Sequence, residues 1–294
     1  MDKIIRCITS DGSIMASAID STNIVATAQQ VHKLSPVATA ALGRLLTGAS
    51  LMGAQLKQQR AALTLKIKGN GPLGVLVASA TSAGNVRGFV ENANCKTEYY
   101  DNGKLNVGSA VGKDGYLYVV RDYGTGEPYN GVVELVSGEI AEDITSYYAN
   151  SEQIPTVCAL GVLVDKEDGT LLLSGGLLIQ LLPGATMQIA EKLENNIKKL
   201  ESVTTMLAKG TDLLDMCKMA LDGFEVEVLD EMPVHYYCTC SRERVLQSFA
   251  TLQDEQLRDM INSTGNVEAV CHYCNKTYKF SEKEIEEFIE ARKG

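Results

Sequence analysis

Eight cysteines are spread unevenly along this chain, and four of them crowd into its last fifth. Cys238-Thr-Cys240 is followed, after thirty intervening residues, by Cys271-His-Tyr-Cys274. Two thiol pairs at short spacing, joined by a folded segment, are what a tetrahedral four-cysteine zinc site requires. The CxxC half is the knuckle that turns two sulfurs toward one ion. In a CxC held as a strand, residues two apart face the same side, so those two sulfurs also reach one metal. We therefore expect one Zn2+ per chain, held by Cys238, Cys240, Cys271 and Cys274. His235 and His272 are alternative ligands, but four thiolates already fill the site, and both are expected at the surface or beside the ligands.

The same spacing has a redox consequence. Cys271 and Cys274 can close a disulfide with little strain, and Cys238 and Cys240 can pair through a tighter ring. Zinc-held thiolates are nucleophilic and open to oxidants. Oxidation would eject the metal and leave two local disulfides. Neither replaces the long cross-link between residues 238–240 and 271–274. The unit that carries them, residues 232–294, has only 63 residues, so metal matters to its folding. Structural zinc contributes roughly 10–16 kcal/mol in small fingers, against net domain stabilities of about 5–15 kcal/mol.

Hydrophobic patterning divides the remainder. Residues 1–183 read as a mixed α/β domain. Short strands are expected at 4–9 and 14–20, around the turn Ser10-Asp11-Gly12-Ser13, and further strands at 63–68, 75–79, 86–91, 116–121 and 132–136. A hairpin pairs 156–165 with 170–181. Helices are expected at 22–32 and 139–149. Ser35-Pro36 starts another at 36–57, apolar or small on nearly all sides and therefore buried. Residues 184–231 form a helical connector, with one helix over 185–208, a shorter one capped by Thr211, and a strand near 224–229. Residues 191–231 carry ten acidic and five basic side chains, net −5, so the connector depends on docking against neighbours. In residues 232–294, helices are expected at 241–251 and 254–263. Strands at 267–270 and 277–280 flank the CxxC, and Ser281 with Glu284 opens a last helix. The fold class is α+β: a mixed N-terminal domain around a buried helix, a helical connector, and a small C-terminal zinc-binding domain.

Composition excludes several functions. Of 294 residues, 37 are acidic and 27 basic, net −10. A surface of that sign repels phosphates, so no nucleic-acid partner and no anionic membrane is expected. The stretch 36–54 is interrupted by Arg44 and rich in Gly, Ser and Thr, so no span crosses a membrane. The N-terminal MDKIIRCITSDG lacks an apolar signal core, which points to the reducing cytoplasm. Gly69-x-Gly71-x-x-Gly74 matches a dinucleotide-binding string, but Pro72 and the strand-like Val75-Leu-Val-Ala make it a glycine turn. Gly124-Thr-Gly126 lacks the phosphate-loop lysine. His32 belongs to no nucleophile motif, and the 282–290 charge run is a solvated helix face. Cys7, Cys95, Cys158 and Cys217 are expected as small buried apolar residues.

With these motifs in place, the chain resembles the redox-regulated 33 kDa chaperonin family of bacterial heat-shock holdases. The likeness rests on the two cysteine pairs, on Glu127-Pro-Tyr-Asn-Gly-Val132, on Tyr147-Tyr-Ala-Asn-Ser-Glu-Gln-Ile-Pro-Thr156, and on Gly69-Asn-Gly-Pro-Leu-Gly74. The resemblance implies an ATP-independent chaperone, not an enzyme, that is largely inactive when reduced and zinc-bound. It implies that oxidants with an unfolding stress form Cys271–Cys274 and Cys238–Cys240. The C-terminal unit and connector then unfold, and the protein binds unfolding clients, typically as a homodimer, for later transfer to ATP-dependent foldases. Two other functions compete. A zinc-ribbon nucleic-acid module would show a basic face, yet residues 232–294 carry ten acidic and eight basic side chains. A thiol–disulfide oxidoreductase would place CxxC at a helix N-terminus, whereas Asn275-Lys-Thr-Tyr-Lys-Phe280 reads as turn and strand.

Overall fold

A computed structural model describes residues 1–261 and 265–292. The chain forms two compact units, Met1–Tyr237 and Cys238–Gly294.

The first unit is organised around one helix. Strands β1 (Lys3–Thr9) and β2 (Ile14–Asp20) lead through α1 (Thr22–His32) into α2 (Pro36–Gly53). Ser35 caps α2 by accepting a hydrogen bond from the Ala38 amide, and Pro36 occupies the first turn. Every residue of α2 except Pro36 and Arg44 is buried. The Arg44 guanidinium is neutralised by the Glu139 carboxylate. Small residues let neighbours approach closely: a Cβ on Gly48 would lie 2.6 Å from Ile144 Cδ1. The helix ends at Gly53, four residues before the expected Lys57.

Two five-stranded sheets enclose α2. One comprises β3 (Ala62–Lys68), β4 (Val75–Thr81), β5 (Val86–Val90), β6 (Tyr116–Asp122) and β7 (Tyr129–Glu134), in the order β5-β4-β3-β6-β7. Its alternation is regular: Leu63, Leu65 and Ile67 point into the core, while Lys66 and Lys68 are exposed. Strand β7 begins three residues earlier than its apolar run suggests, because Tyr129–Gly131 continue the pairing with β6. The Gly69–Gly74 segment leads into β4 and not into a helix, as expected of a turn. A short helix, α3 (Val107–Val111), was not legible in the pattern. Helix α4 (Ala141–Tyr147) passes into one π turn at Tyr148–Glu152.

The other sheet adds β8 (Thr156–Val164), β9 (Leu171–Leu181) and β10 (Val226–Pro233), in the order β10-β1-β2-β9-β8. Every ladder in both sheets is antiparallel, so the α+β class holds. This sheet is apolar on both faces. Ile4, Ile19 and Leu178 join the core around α2, whereas Ile5, Cys7, Ile14, Leu177 and Ile179 face the opposite way. That second face is covered by α5 (Met187–Ile197), α6 (Val203–Ala208) and α7 (Leu213–Ala220). Leu193, Val203, Met206, Leu213, Met216 and Cys217 supply the buried contacts.

The expected single helix over 185–208 is two helices. Ser202 caps α6 by accepting from the Thr205 amide, and the β-branched Val203-Thr-Thr that follows favours a fresh start over continuation. Asp212, not Thr211, caps α7. Strand β10 lies along β1 from Lys3↔Pro233 to Thr9↔Val226. Arg6 grips the Asp230 carboxylate with two donors and reaches the Ala54 carbonyl at 2.9 Å. Among the described residues, no helix is long and apolar enough to cross a membrane.

Candidate metal centre

Among its described residues, the second unit builds its site on a hairpin and three α-helices. Strands β11 (Asn266–Val270) and β12 (Thr277–Ser281) pair from Asn266↔Ser281 to Val270↔Thr277. Alternation sends Val267, Tyr278 and Phe280 inward, against Phe249, Leu257, Ile285 and Ile289. Phe249 and Phe280 meet edge-on, with ring centroids 5.3 Å apart. Ser281 and Glu284 form the expected capping box of α10 (Glu282–Ala291). Helix α9 covers Asp254–Asp259; residues 262–263 of its expected span lie outside the described residues.

The CxxC pair occupies the β11–β12 turn. The Cys271 amide donates to the Lys276 carbonyl at 3.0 Å, and the Asn275 amide to the Cys271 carbonyl at 2.8 Å. Asn275 takes a left-handed φ of 55°, which asparagine tolerates better than most residues. The CxC pair lies in irregular chain ahead of α8 (Arg242–Ser248), not in a strand. Alternation along a strand therefore does not align its sulfurs. Helix α8 fixes the segment instead: Ser241 is its N-cap, and Arg244 Nη1 donates to the Thr239 carbonyl at 2.9 Å.

These two segments bring four sulfurs together. The Sγ atoms of Cys238, Cys240, Cys271 and Cys274 all lie within 4.8 Å of one another. Cys238 Sγ is 3.7 Å from Cys271 Sγ, and Cys240 Sγ is 3.4 Å from Cys274 Sγ. A tetrahedron with metal–sulfur bonds of about 2.3 Å has edges of about 3.8 Å. The donor set and its spacing thus fit one zinc ion. Both of these separations join one segment to the other.

The thiols differ in acidity. Burial opposes ionisation of Cys240, but hydrogen bonds, first among them one donated by Tyr278 Oη at 3.0 Å, bring it down to about 7. Burial pushes Cys274 up to about 12 and raises Cys238. Tyr278 was missed by sequence reasoning. Its signal is its place two residues before the inward-facing Phe280, on the face that meets the sulfurs. Neither histidine joins the cluster; the His235 amide is bound to Asn85 Oδ1 in the first unit. Of the other cysteines, Cys7, Cys95 and Cys217 are buried and Cys158 is partly so.

Comparison with known proteins bears on what such a unit belongs to. The family model described as Hsp33 protein matches residues 2–281. The chain belongs to the Hsp33 family. Among its curated Hsp33 relatives, the 33 kDa chaperonin of Acetivibrio thermocellus is 45% identical over 284 residues, covering 97% of this chain and 95% of that protein. The 33 kDa chaperonin of Clostridioides difficile is 42% identical over 288 residues, covering 98% of each. The crystal structure of the 33 kDa chaperonin (heat shock protein 33 homolog) from Thermotoga maritima superposes with a TM-score of 0.89 at 36% identity, covering 99% of this chain and 98% of that one. Membership of Hsp33 gives this chain a chaperone role, and its four-cysteine group could hold a metal ion.

Proposed function

We propose that this chain is a redox-switched, ATP-independent holdase of the bacterial cytoplasm, restrained while its four cysteines are reduced and hold Zn2+. The observation that carries this reading is the gathering of four sulfurs, drawn from two distant segments, within 4.8 Å. When bound, zinc cross-links residues 238–240 to residues 271–274.

The switch is the oxidation of these thiols. Peroxide converts the Cys271 and Cys274 thiols to a disulfide with release of two waters, and Cys238 and Cys240 follow in the same way. Each disulfide is local, so the long cross-link is gone. The unit's own core contains few large buried side chains and does not hold without it.

The connector is the element set free. Cys238 directly follows Val234–Tyr237, the last residues of the first unit, which are held within it by hydrogen bonds: the Val234 amide to the Asp2 carbonyl, and the Tyr237 amide to the Val86 carbonyl. Loss of order at 238–240 loosens this stretch, then β10, then α5–α7. Their departure uncovers Ile5, Ile14, Leu177 and Ile179, each worth about 1.5–3 kcal/mol when covered. An apolar sheet face flanked by freed acidic chain suits unfolded clients while keeping the complex soluble. The active form is a homodimer, and clients pass on to ATP-dependent foldases.

The test is to treat the zinc-loaded protein with hydrogen peroxide under mild warming, follow zinc release, and measure light scattering of an unfolding client. The reading predicts stoichiometric zinc release and suppression of scattering by the oxidised form alone. Equal suppression by the reduced form, or retention of zinc, contradicts it. Rapid insulin reduction with turnover would instead favour a thiol–disulfide oxidoreductase, and salt-sensitive retention on nucleic acid a zinc-ribbon module.

A further inference from the structure

The chain has nine methionines, and two of them lie where the connector meets the sheet. Met206 is on α6 and Met216 on α7. Helix α6 packs on β9, and α7 on β1 and β2. Both side chains are fully buried. The buried cluster that encloses them consists of aliphatic, methionine and cysteine side chains, with no hydroxyl, amide or charged side chain among them. Met187, the first residue of α5, belongs to the same connector but is 77% exposed. Leucine would fill the two buried positions with little change in volume. What methionine adds there is a thioether, which oxidants convert to a polar sulfoxide.

We propose that Met206 and Met216 are oxidant-modified sites that latch the connector open. Their sulfurs are shielded while α6 and α7 are docked, are oxidised once the helices lift, and then keep the helices from returning. The proposal rests on the connector release described above, and it adds what happens to the released face.

The oxidant is the hydrogen peroxide that triggers the release. A lone pair on the thioether sulfur attacks one peroxide oxygen. The S–O bond forms and the O–O bond breaks. The departing hydroxide takes the proton of the transferred oxygen and leaves as water. One thioether and one hydrogen peroxide thus give one sulfoxide and one water, with two electrons passing from sulfur to peroxide.

A sulfoxide oxygen is a strong hydrogen-bond acceptor. Redocking would bury it among aliphatic side chains that offer no donor, and an acceptor buried without a partner opposes folding. Thiol reductants reopen the zinc-site disulfides but leave sulfoxides intact. Those are returned by methionine sulfoxide reductases, one for each epimer. Mild oxidation is therefore reset by thiols and zinc alone, whereas prolonged oxidation leaves the connector open until the methionines are repaired.

The experiment follows zinc release, sulfoxide formation by tryptic mapping, and amide hydrogen exchange over residues 203–220 during peroxide treatment with mild warming. Trypsin places Met187 in residues 167–192, Met206 in 200–209 and Met216 in 210–218, each without another methionine. Fragmentation of the last peptide separates oxygen on Met216 from oxygen on Cys217. Met187 should take up oxygen in the zinc-bound protein, and Met206 and Met216 only as the connector opens. Peroxide is then removed, the disulfides are reduced with dithiothreitol, and Zn2+ is restored, with or without both sulfoxide reductases. Without them, molecules oxidised at Met206 or Met216 should exchange at least about fivefold faster than unmodified protein; with them, slow exchange returns. Protein oxidised at Met187 before zinc release is the control and should keep slow exchange throughout. The double variant Met206→Leu, Met216→Leu should regain slow exchange without the reductases. The arms with and without reductase use wild-type protein, so the result does not depend on the variant folding. Connector opening with no oxygen on Met206 or Met216 overturns the latch, as does full recovery of the sulfoxide form without the reductases. Zinc release with no opening would contradict connector release itself, and the latch with it, so hydrogen exchange tells the two failures apart.

Discussion

The Tyr278 hydroxyl points at a sulfur, and that contact favours ionisation of one thiol of the four-cysteine group. Tyr278 Oη donates to Cys240 Sγ at 3.0 Å, supporting the thiolate form that a metal requires. A hydrogen bond to a charged acceptor is worth about 1.5–3 kcal/mol, and partners of metal ligands typically govern affinity by about 10–100-fold. We expect Tyr278→Phe to weaken zinc binding about tenfold with the hairpin intact, since the ring stays in the core. Competition with a chromophoric chelator measures this; an unchanged dissociation constant would remove Tyr278 from the site. The grouping of the four cysteines was legible because thiol spacing survives in sequence without any knowledge of the fold. Tyr278 was not, because nothing in a strand's pattern says what its inward face meets.

At the scale of elements, the connector is the part whose role depends most on packing. Its helices carry their own caps at Thr186, Ser202 and Asp212, yet α6 and α7 are six and eight residues long, too short to persist alone in water. Contact with the sheet holds them. Met206 is fully buried in that contact, and truncating a buried Met to Ala costs about 2–5 kcal/mol. Met206→Ala should therefore loosen α6 and give the reduced, zinc-bound protein partial holdase activity in a light-scattering assay. A variant as inactive as the wild type would show that the connector does not restrain the client surface. The elements of this region were only partly readable. Apolar runs such as Leu177-Leu178-Ile179 announce a strand buried on both sides, but not which element covers the second face. Strand β10 was expected, although its place at the edge of the N-terminal sheet follows from pairing between distant residues, including Arg6 with Asp230. The break at Ser202 was missed because the apolar spacing continues across it.

For the whole molecule, the contrast between the two units is energetic. The first has a core that surrounds α2 on both sides, whereas the second buries Phe249, Phe280, Ile285, Ile289 and few others. Chelation of zinc under reducing conditions should unfold residues 238–294 while residues 1–181 stay folded, as read by dispersion of amide resonances. A metal-free C-terminal unit with native dispersion would mean that zinc is not what holds it. The central claim is that the cysteine site controls the connector. Amide hydrogen exchange over residues 187–221, in the zinc-loaded reduced protein and after peroxide with warming, tests it most directly. The account predicts that protection there is lost as zinc is released, while α2 stays protected. Release of zinc with connector protection unchanged would contradict it.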